Sequence, residues 1–225
     1  MILDFQNVQA AATPGLDSGL VDLRFKLQAG DLLLLRVDAR ARRTALPDLA
    51  QGLLAPDRGA VAFLGEDWVG MAPDHAAAQR GRIGRIFETG GWLNNLDVIE
   101  NITLAQRYHT ARTEPELLDA AHTLSLDFGL EDLPEGRPHA VARPILRRAQ
   151  WVRALLGQPK LLVFESPAQD IEARWLDRLI ARTHAACAAG AAAIWITSNP
   201  EEWNNRAMNP SLKFELKDAR LHPAV

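Results

Sequence analysis

Apolar and charged residues alternate over residues 21–27, where Val21, Leu23, Phe25 and Leu27 are separated by Asp22, Arg24 and Lys26. This is the period-two pattern of a strand with one covered face. Gly30 and Asp31 turn the chain. The next run, LLLLRV at residues 32–37, does not alternate, which predicts a strand of a parallel sheet covered on both faces. Helical spacing follows through Leu46, Leu49, Ala50, Leu53 and Leu54. Pro47 is harmless only in a first turn, so this helix is expected to start near Ala45 or Leu46. Residues 60–64 and 83–87 read as further strands joined by an alanine-rich linker, and from Thr89 to about Gly157 the chain turns helical. Within that stretch, residues 114–124 place Leu117, Leu118, Ala121 and Leu124 at helical spacing. A second amphipathic helix at residues 144–156 has Pro144 at its first position and Gly157 past its end. The closing third offers strands at 161–164, 192–197 and 212–216 and a helix at 171–189. Such alternation predicts an α/β fold around a largely parallel sheet, with ligands at the carboxyl ends of its strands.

A chain of 225 residues with this ordinary globular composition is long enough for one domain with a large core. Its net charge of −3 supplies no basic field for a phosphate backbone, so no nucleic acid partner is expected. The chain opens directly on a strand pattern, MILDFQNVQ, and holds no run of 18 apolar residues, so a soluble, unexported protein is expected. Cys187, the single cysteine, lies in an alanine-rich helix and reads as a small buried hydrophobe; it rules out an internal disulfide and a cysteine metal cluster. The histidines are scattered without metal-ligand spacing, and no metal site is expected.

Two stretches carry most of the functional signal. Residues 159–167, PKLLVFESP, read as a buried strand that delivers Glu165 to its carboxyl end, directly after a helix reading RAQWVRALLGQ. Residues 52–59 read GLLAPDRG, and residues 96–104 read LDVIENITL. In this order the segments resemble the ATPase subunit of ATP-binding cassette (ABC) transporters over nearly the whole chain. The resemblance implies a P-loop NTPase-like, mostly parallel sheet with an antiparallel β part and a helical subdomain. It implies a single domain over residues 1–225, with an α/β core at 1–88 and 158–225 and a helical subdomain at 89–157. It also implies an integral membrane permease as partner, a homodimer or a heterodimer with another ABC ATPase subunit, and a peripheral place on the cytoplasmic face of the inner membrane.

The family's phosphate loop reads Gly, four residues, Gly, Lys, Ser or Thr, and its glycines let backbone N–H groups curl around phosphates. Counting back from Gly52, Val37 falls on the first glycine, Arg40 on an inner glycine, Arg42 and Arg43 on the Gly-Lys pair and Thr44 on the serine. Thr44 alone matches. Arg43 keeps the positive charge, whereas side chains at 40 and 42 disfavour the glycine-dependent backbone. The family's magnesium aspartate and water-polarising glutamate correspond to Glu165 and Ser166, and a serine hydroxyl is a poor general base. The signature Leu-Ser-Gly-Gly-Gln falls on Val141, Ala142, Arg143, Pro144 and Ile145, where Pro144 offers no amide hydrogen. The switch histidine falls on Ser198, the loop glutamine on Glu88, and alanines stand near residues 11 and 12, where an aromatic ring usually stacks on adenine.

Loss of three or four charge-assisted hydrogen bonds at about 1.5–3 kcal/mol each would weaken a micromolar site beyond about millimolar. The expectation is a degenerate, non-catalytic ABC subunit, a pseudo-ATPase with no cofactor, acting as a structural or regulatory partner of a permease. The alternatives are a divergent ATPase that still uses Mg-ATP, with Arg43 in place of lysine, Glu165 holding magnesium and a partner's group acting on water, and a freestanding, nucleotide-independent interaction module. Arg36, Arg40, Arg42 and Arg43 form a basic cluster expected near Glu88 and Glu165. They either pair with those carboxylates as an internal plug or splay into solvent. Gly90, Gly91, Trp92 and Leu93 fall where the family touches its permease, and an aromatic residue plus leucine could anchor there; the other reading folds Trp92 into the helical core. Trp151 and Trp175 read as core. Residues 90–109, GGWLNNLDVIENITLAQRYH, resemble ABC ATPases of the Mce and Mla lipid-trafficking type, which implies a lipid cargo on the strength of one segment.

Overall fold

The computed structural model describes residues 1–40 and 42–224. The chain runs β1 (Leu3–Ala10), β2 (Leu20–Leu27), β3 (Leu32–Arg36), α1 (Leu46–Ala50), β4 (Arg58–Phe63), β5 (Glu66–Asp67), α2 (Pro73–Arg80) and β6 (Ile83–Ile86). It continues with α3 (Val98–His109), α4 (Glu114–Asp127), α5 (Arg143–Leu155), β7 (Leu161–Glu165), α6 (Ala173–Ala188), β8 (Ala192–Thr197), α7 (Pro200–Asn204), β9 (Leu212–Lys217) and β10 (Arg220–Pro223).

Two sheets organise these elements. The larger has the order β10-β9-β3-β8-β7-β6, parallel throughout except for the β10–β9 edge. The smaller is antiparallel, ordered β2-β1-β4-β5. Strand geometry sends successive side chains to opposite faces, and the central strands therefore feed two cores. Leu33, Leu35, Val163, Ile194 and Ile196 pack with α1 and the antiparallel sheet. Leu34, Leu162, Phe164 and Trp195 pack with α3, α5 and α6. The continuous apolar run of β3 thus reports burial on both sides.

Three expectations are corrected. The alanine-rich linker is the helix α2, started by Pro73 in its first turn and held by buried Ala76 and Gln79. The helix after Leu46 does not continue to Leu54 but stops at Ala50, because Gly52 turns with φ +62° under the ring of Trp68. Leu53 is consequently exposed. Residues 87–97 are a loop, and the helices start only at Val98.

Gly84 brings α5 against β6: a Cβ there would stand 1.8 Å from the Ala154 carbonyl oxygen. Trp151 is fully buried, whereas Trp175 is half-buried with Arg148 and Arg174 each 5.0 Å from its ring centre. Cys187 is buried, its Sγ directed at the Asp31 carbonyl oxygen at 3.6 Å, and burial pushes its thiol up to about 11. Among the described residues no helix is long and apolar enough to cross a membrane.

Candidate functional site

The parallel strands β3, β8, β7 and β6 end along one edge of the larger sheet, where the loop between β3 and α1 begins. Val37 is buried, and its N–H donates to the Thr197 carbonyl oxygen at 3.0 Å, which ties the start of this loop to β8. Beyond it the loop is held by the protein's own acids. Asp38 Oδ1 accepts the Arg40 N–H at 2.7 Å. Asp17 accepts the Arg43 N–H at 2.9 Å and the Arg43 guanidinium at 3.2 Å, and returns its own N–H to the Arg43 carbonyl at 2.9 Å. The Arg43 amide, assisted by the guanidinium, holds the Asp17 carboxyl below its usual range. Arg42 Nε donates to the Ala39 carbonyl oxygen at 3.0 Å, and its Nη1 lies 3.7 Å from Glu88. Thr44 is buried and takes the Leu46 N–H at 3.4 Å, just ahead of a helix of only five residues.

Glu165 sits at the end of β7, enclosed, with its carboxylate bound by Arg85 Nε at 2.7 Å. The Arg85 Nη1 reaches Asp48 Oδ1 at 2.6 Å and Gln51 Oε1 at 2.8 Å, and the guanidinium lies 4.4 Å from the Phe87 ring centre. Burial pushes the Glu165 carboxyl up and Arg85 pulls it partly back. Ser166 turns the chain with φ +44°, a left-handed conformation uncommon outside glycine, and donates its N–H to the Ile196 carbonyl at 2.9 Å.

Of the two arrangements left open for the loop arginines, a plug or a splay into solvent, neither holds for all four. Among the described residues the cation on Glu165 comes from Arg85, on the neighbouring strand. Arg36 pairs with Glu215 and Arg43 with Asp17, which leaves Arg42 as the one of the four that approaches Glu88. Arg40 is exposed, the splayed arrangement. Sequence reasoning missed Arg85, Asp17, Asp48 and Gln51. A cation inside the short apolar strand β6, beside a strand that ends in an acid, was the available signal for Arg85.

At the start of α5, Val141 lies just outside the helix, Ala142 occupies the N-cap without a side-chain cap, and Arg143 and Pro144 form the first turn. The Ile145 and Leu146 amides both donate to the Ala142 carbonyl at 3.0 Å. Ser198 follows directly on β8. Glu88, Gly90, Trp92 and Arg143 line one groove of about 410 Å³ together with Arg147 and Asp170. Gly90 and Gly91 are left-handed, at φ 69° and 71°; Trp92 is half-buried against the helical core and Leu93 is 49% exposed. A larger cavity of about 720 Å³ lies near Pro159 and Lys160, ahead of β7, away from these groups.

This architecture is the ABC ATPase fold. A dimeric structure of the ATP-binding cassette MJ0796, in a post-hydrolysis state bound to ADP and Pi, matches 98% of this chain and 97% of that chain at a TM-score of 0.84 and 15% identity. In sequence, the relatives are ATP-binding subunits of ABC transporters. The intermembrane phospholipid transport system ATP-binding protein MlaF of Escherichia coli (strain K12) is 29% identical over 126 residues, 56% of this chain and 46% of that protein. The chain thus spans about half the length of that relative. The lipoprotein-releasing system ATP-binding protein LolD of Ruegeria sp. (strain TM1040) is 26% identical over 170 residues, covering 75% and 74%. No family model matches the chain.

Proposed function

We propose that the chain is a non-catalytic ABC subunit that docks on a membrane permease as a structural or regulatory partner. The observation that carries this reading is that two amides of the loop and one guanidinium are already taken by the protein's own acids: Asp38 on the Arg40 amide, and Asp17 on both the amide and the guanidinium of Arg43. A triphosphate does not fit this donor set, since it would have to displace Asp17 while meeting side chains where glycines leave room. Ser166 cannot activate water in place of a carboxylate, and the carboxylate beside it, Glu165, is neutralised by Arg85. No chemical step is assigned to nucleotide at this site.

Lipid transport is the cargo class this reading favours, supported by the likeness to a phospholipid-transport subunit and a lipoprotein-releasing subunit. The permease would meet the loop carrying Trp92 and Leu93. Isothermal titration with Mg-ATP tests the proposal. No saturable heat is expected up to about millimolar nucleotide, and a Kd below about 100 µM would overturn it in favour of a divergent ATPase. Co-purification with a multi-spanning membrane protein tests the docking half.

A further inference from the structure

Three side chains along one face of α5 reach across to the loop that follows β6. Arg147 donates through Nη1 to the Phe87 carbonyl and through Nη2 to the Glu88 carbonyl, both at 2.7 Å. Gln150 Nε2 donates to the Gly90 carbonyl at 3.0 Å, and Arg153 Nη1 donates to the Gly91 carbonyl. A spacing of three residues puts these donors in one row on the helix. From the other side, Asn101 of α3 accepts the Leu93 N–H at 2.8 Å and donates to the Leu93 carbonyl at 3.1 Å. A loop with two left-handed glycines, costly to order, is thereby tied down at successive carbonyls.

Arg153 is the odd member of the row. Its guanidinium lies 4.6 Å from the Trp92 ring centre and 5.6 Å from that of Phe87. No carboxylate pairs with it among the described residues, and its Nη2 is buried without a partner. Burial alone lowers it to about 10. Arg153 as a residue is half-buried, but an enclosed, idle donor on an unpaired cation is a liability to stability, so it is better explained by what it positions than by what it stabilises.

We infer that Arg153, with Arg147 and Gln150, positions residues 87–93 as a rigid platform for the partner, clamping the loop to the helical region independently of nucleotide. This rests on the reading that the loop faces a permease. A loop fixed beforehand loses less freedom on docking, which is what a subunit without a nucleotide-driven stroke requires of its contact surface.

Limited chymotrypsin digestion of the full chain, with cut sites located by mass spectrometry and melting temperature followed in parallel, tests the clamp. Arg153→Met should raise cleavage after Phe87, Trp92 or Leu93 at least tenfold, with a melting temperature unchanged or higher. Unchanged cleavage, or a rise at all sites together with a fall in melting temperature, would overturn the positioning role. If Arg153→Met does not fold, Arg153→Lys is read in the same way: local acceleration in 87–93 supports the clamp and its absence overturns it. Saturable Mg-ATP binding by the unaltered chain would defeat the non-catalytic reading and leave this outcome intact, so the two failures are distinguishable.

Discussion

Arg85 Nε donates to Glu165 Oε1 at 2.7 Å from the same face of the adjacent parallel strand, where Arg85 stands opposite Val163 and Glu165 follows two residues on. With Asp48 and Gln51 on its other nitrogen, this guanidinium joins β6, β7 and α1. Removing one partner of an enclosed ion pair leaves the other charge uncompensated. Arg85→Met is expected to cost about 3–5 kcal/mol in chemical denaturation, and the double variant Arg85→Met, Glu165→Leu to recover most of it. A single-variant loss under about 1 kcal/mol would contradict this.

Glu202 is buried beneath the end of β8, accepting the Trp195 Nε1 proton at 2.6 Å, and burial raises its carboxyl above the ordinary glutamate value. Glu165 is raised for the same reason. An acid with a higher folded-state value holds more protons in the native chain between its unfolded and folded values. Stability therefore falls as pH rises through that window and stays lower above it. Glu202→Gln keeps an acceptor for Trp195 and removes the buried charge. It should melt higher at pH 7 and show a shallower decline above about pH 4.3. A lower melting point at pH 7 with an unchanged slope would dispose of the idea.

Gly84→Ala places a methyl group against the Ala154 carbonyl, on backbone rather than on a yielding side chain. Overpacking of this kind should cost about 3 kcal/mol by separating α5 from β6. Equilibrium unfolding checks it, and a cost below about 1 kcal/mol would mean that the helix moves freely.

Restoring space in the phosphate-loop positions should partly reverse the proposed loss of nucleotide binding. The triple variant Asp17→Asn, Arg40→Gly, Arg42→Gly frees the Arg43 guanidinium from its carboxylate and lets the backbone curl. We expect at least a tenfold gain in Mg-ATP affinity, about 1.4 kcal/mol, by titration calorimetry. No gain would place the obstruction elsewhere, with the Arg85–Glu165 pair the next suspect.

What the sequence made legible was whatever depends on local pattern. The apolar runs of β3 and β7 and the proline-led start of α5 were readable from spacing, because burial on both faces and a missing N–H leave marks within a few residues. The Gly84 contact and the end of α1 were not, since the ring of Trp68 and the carbonyl of Ala154 come from distant segments. Helix α2 was obscured because only Ala76 and Gln79 are buried on it, which leaves no apolar stripe to count. At the candidate site, the positions of Glu88, Glu165 and Ser198 followed from order along the chain. The partners of the charges did not. Asp17 reaches Arg43 from 26 residues away, and Arg85 meets Glu165 across a sheet register that spacing alone does not reveal.

Cys187, enclosed beside the Asp31 carbonyl with its thiol pushed up to about 11, will stay protonated at neutral pH and closed to thiol-reactive dyes. The unaltered chain is thus a ready-made blank for site-directed labelling. A cysteine placed at exposed Leu93 would be the one reactive sulfur, able to report by fluorescence or nitroxide spectra when a partner lands on that loop.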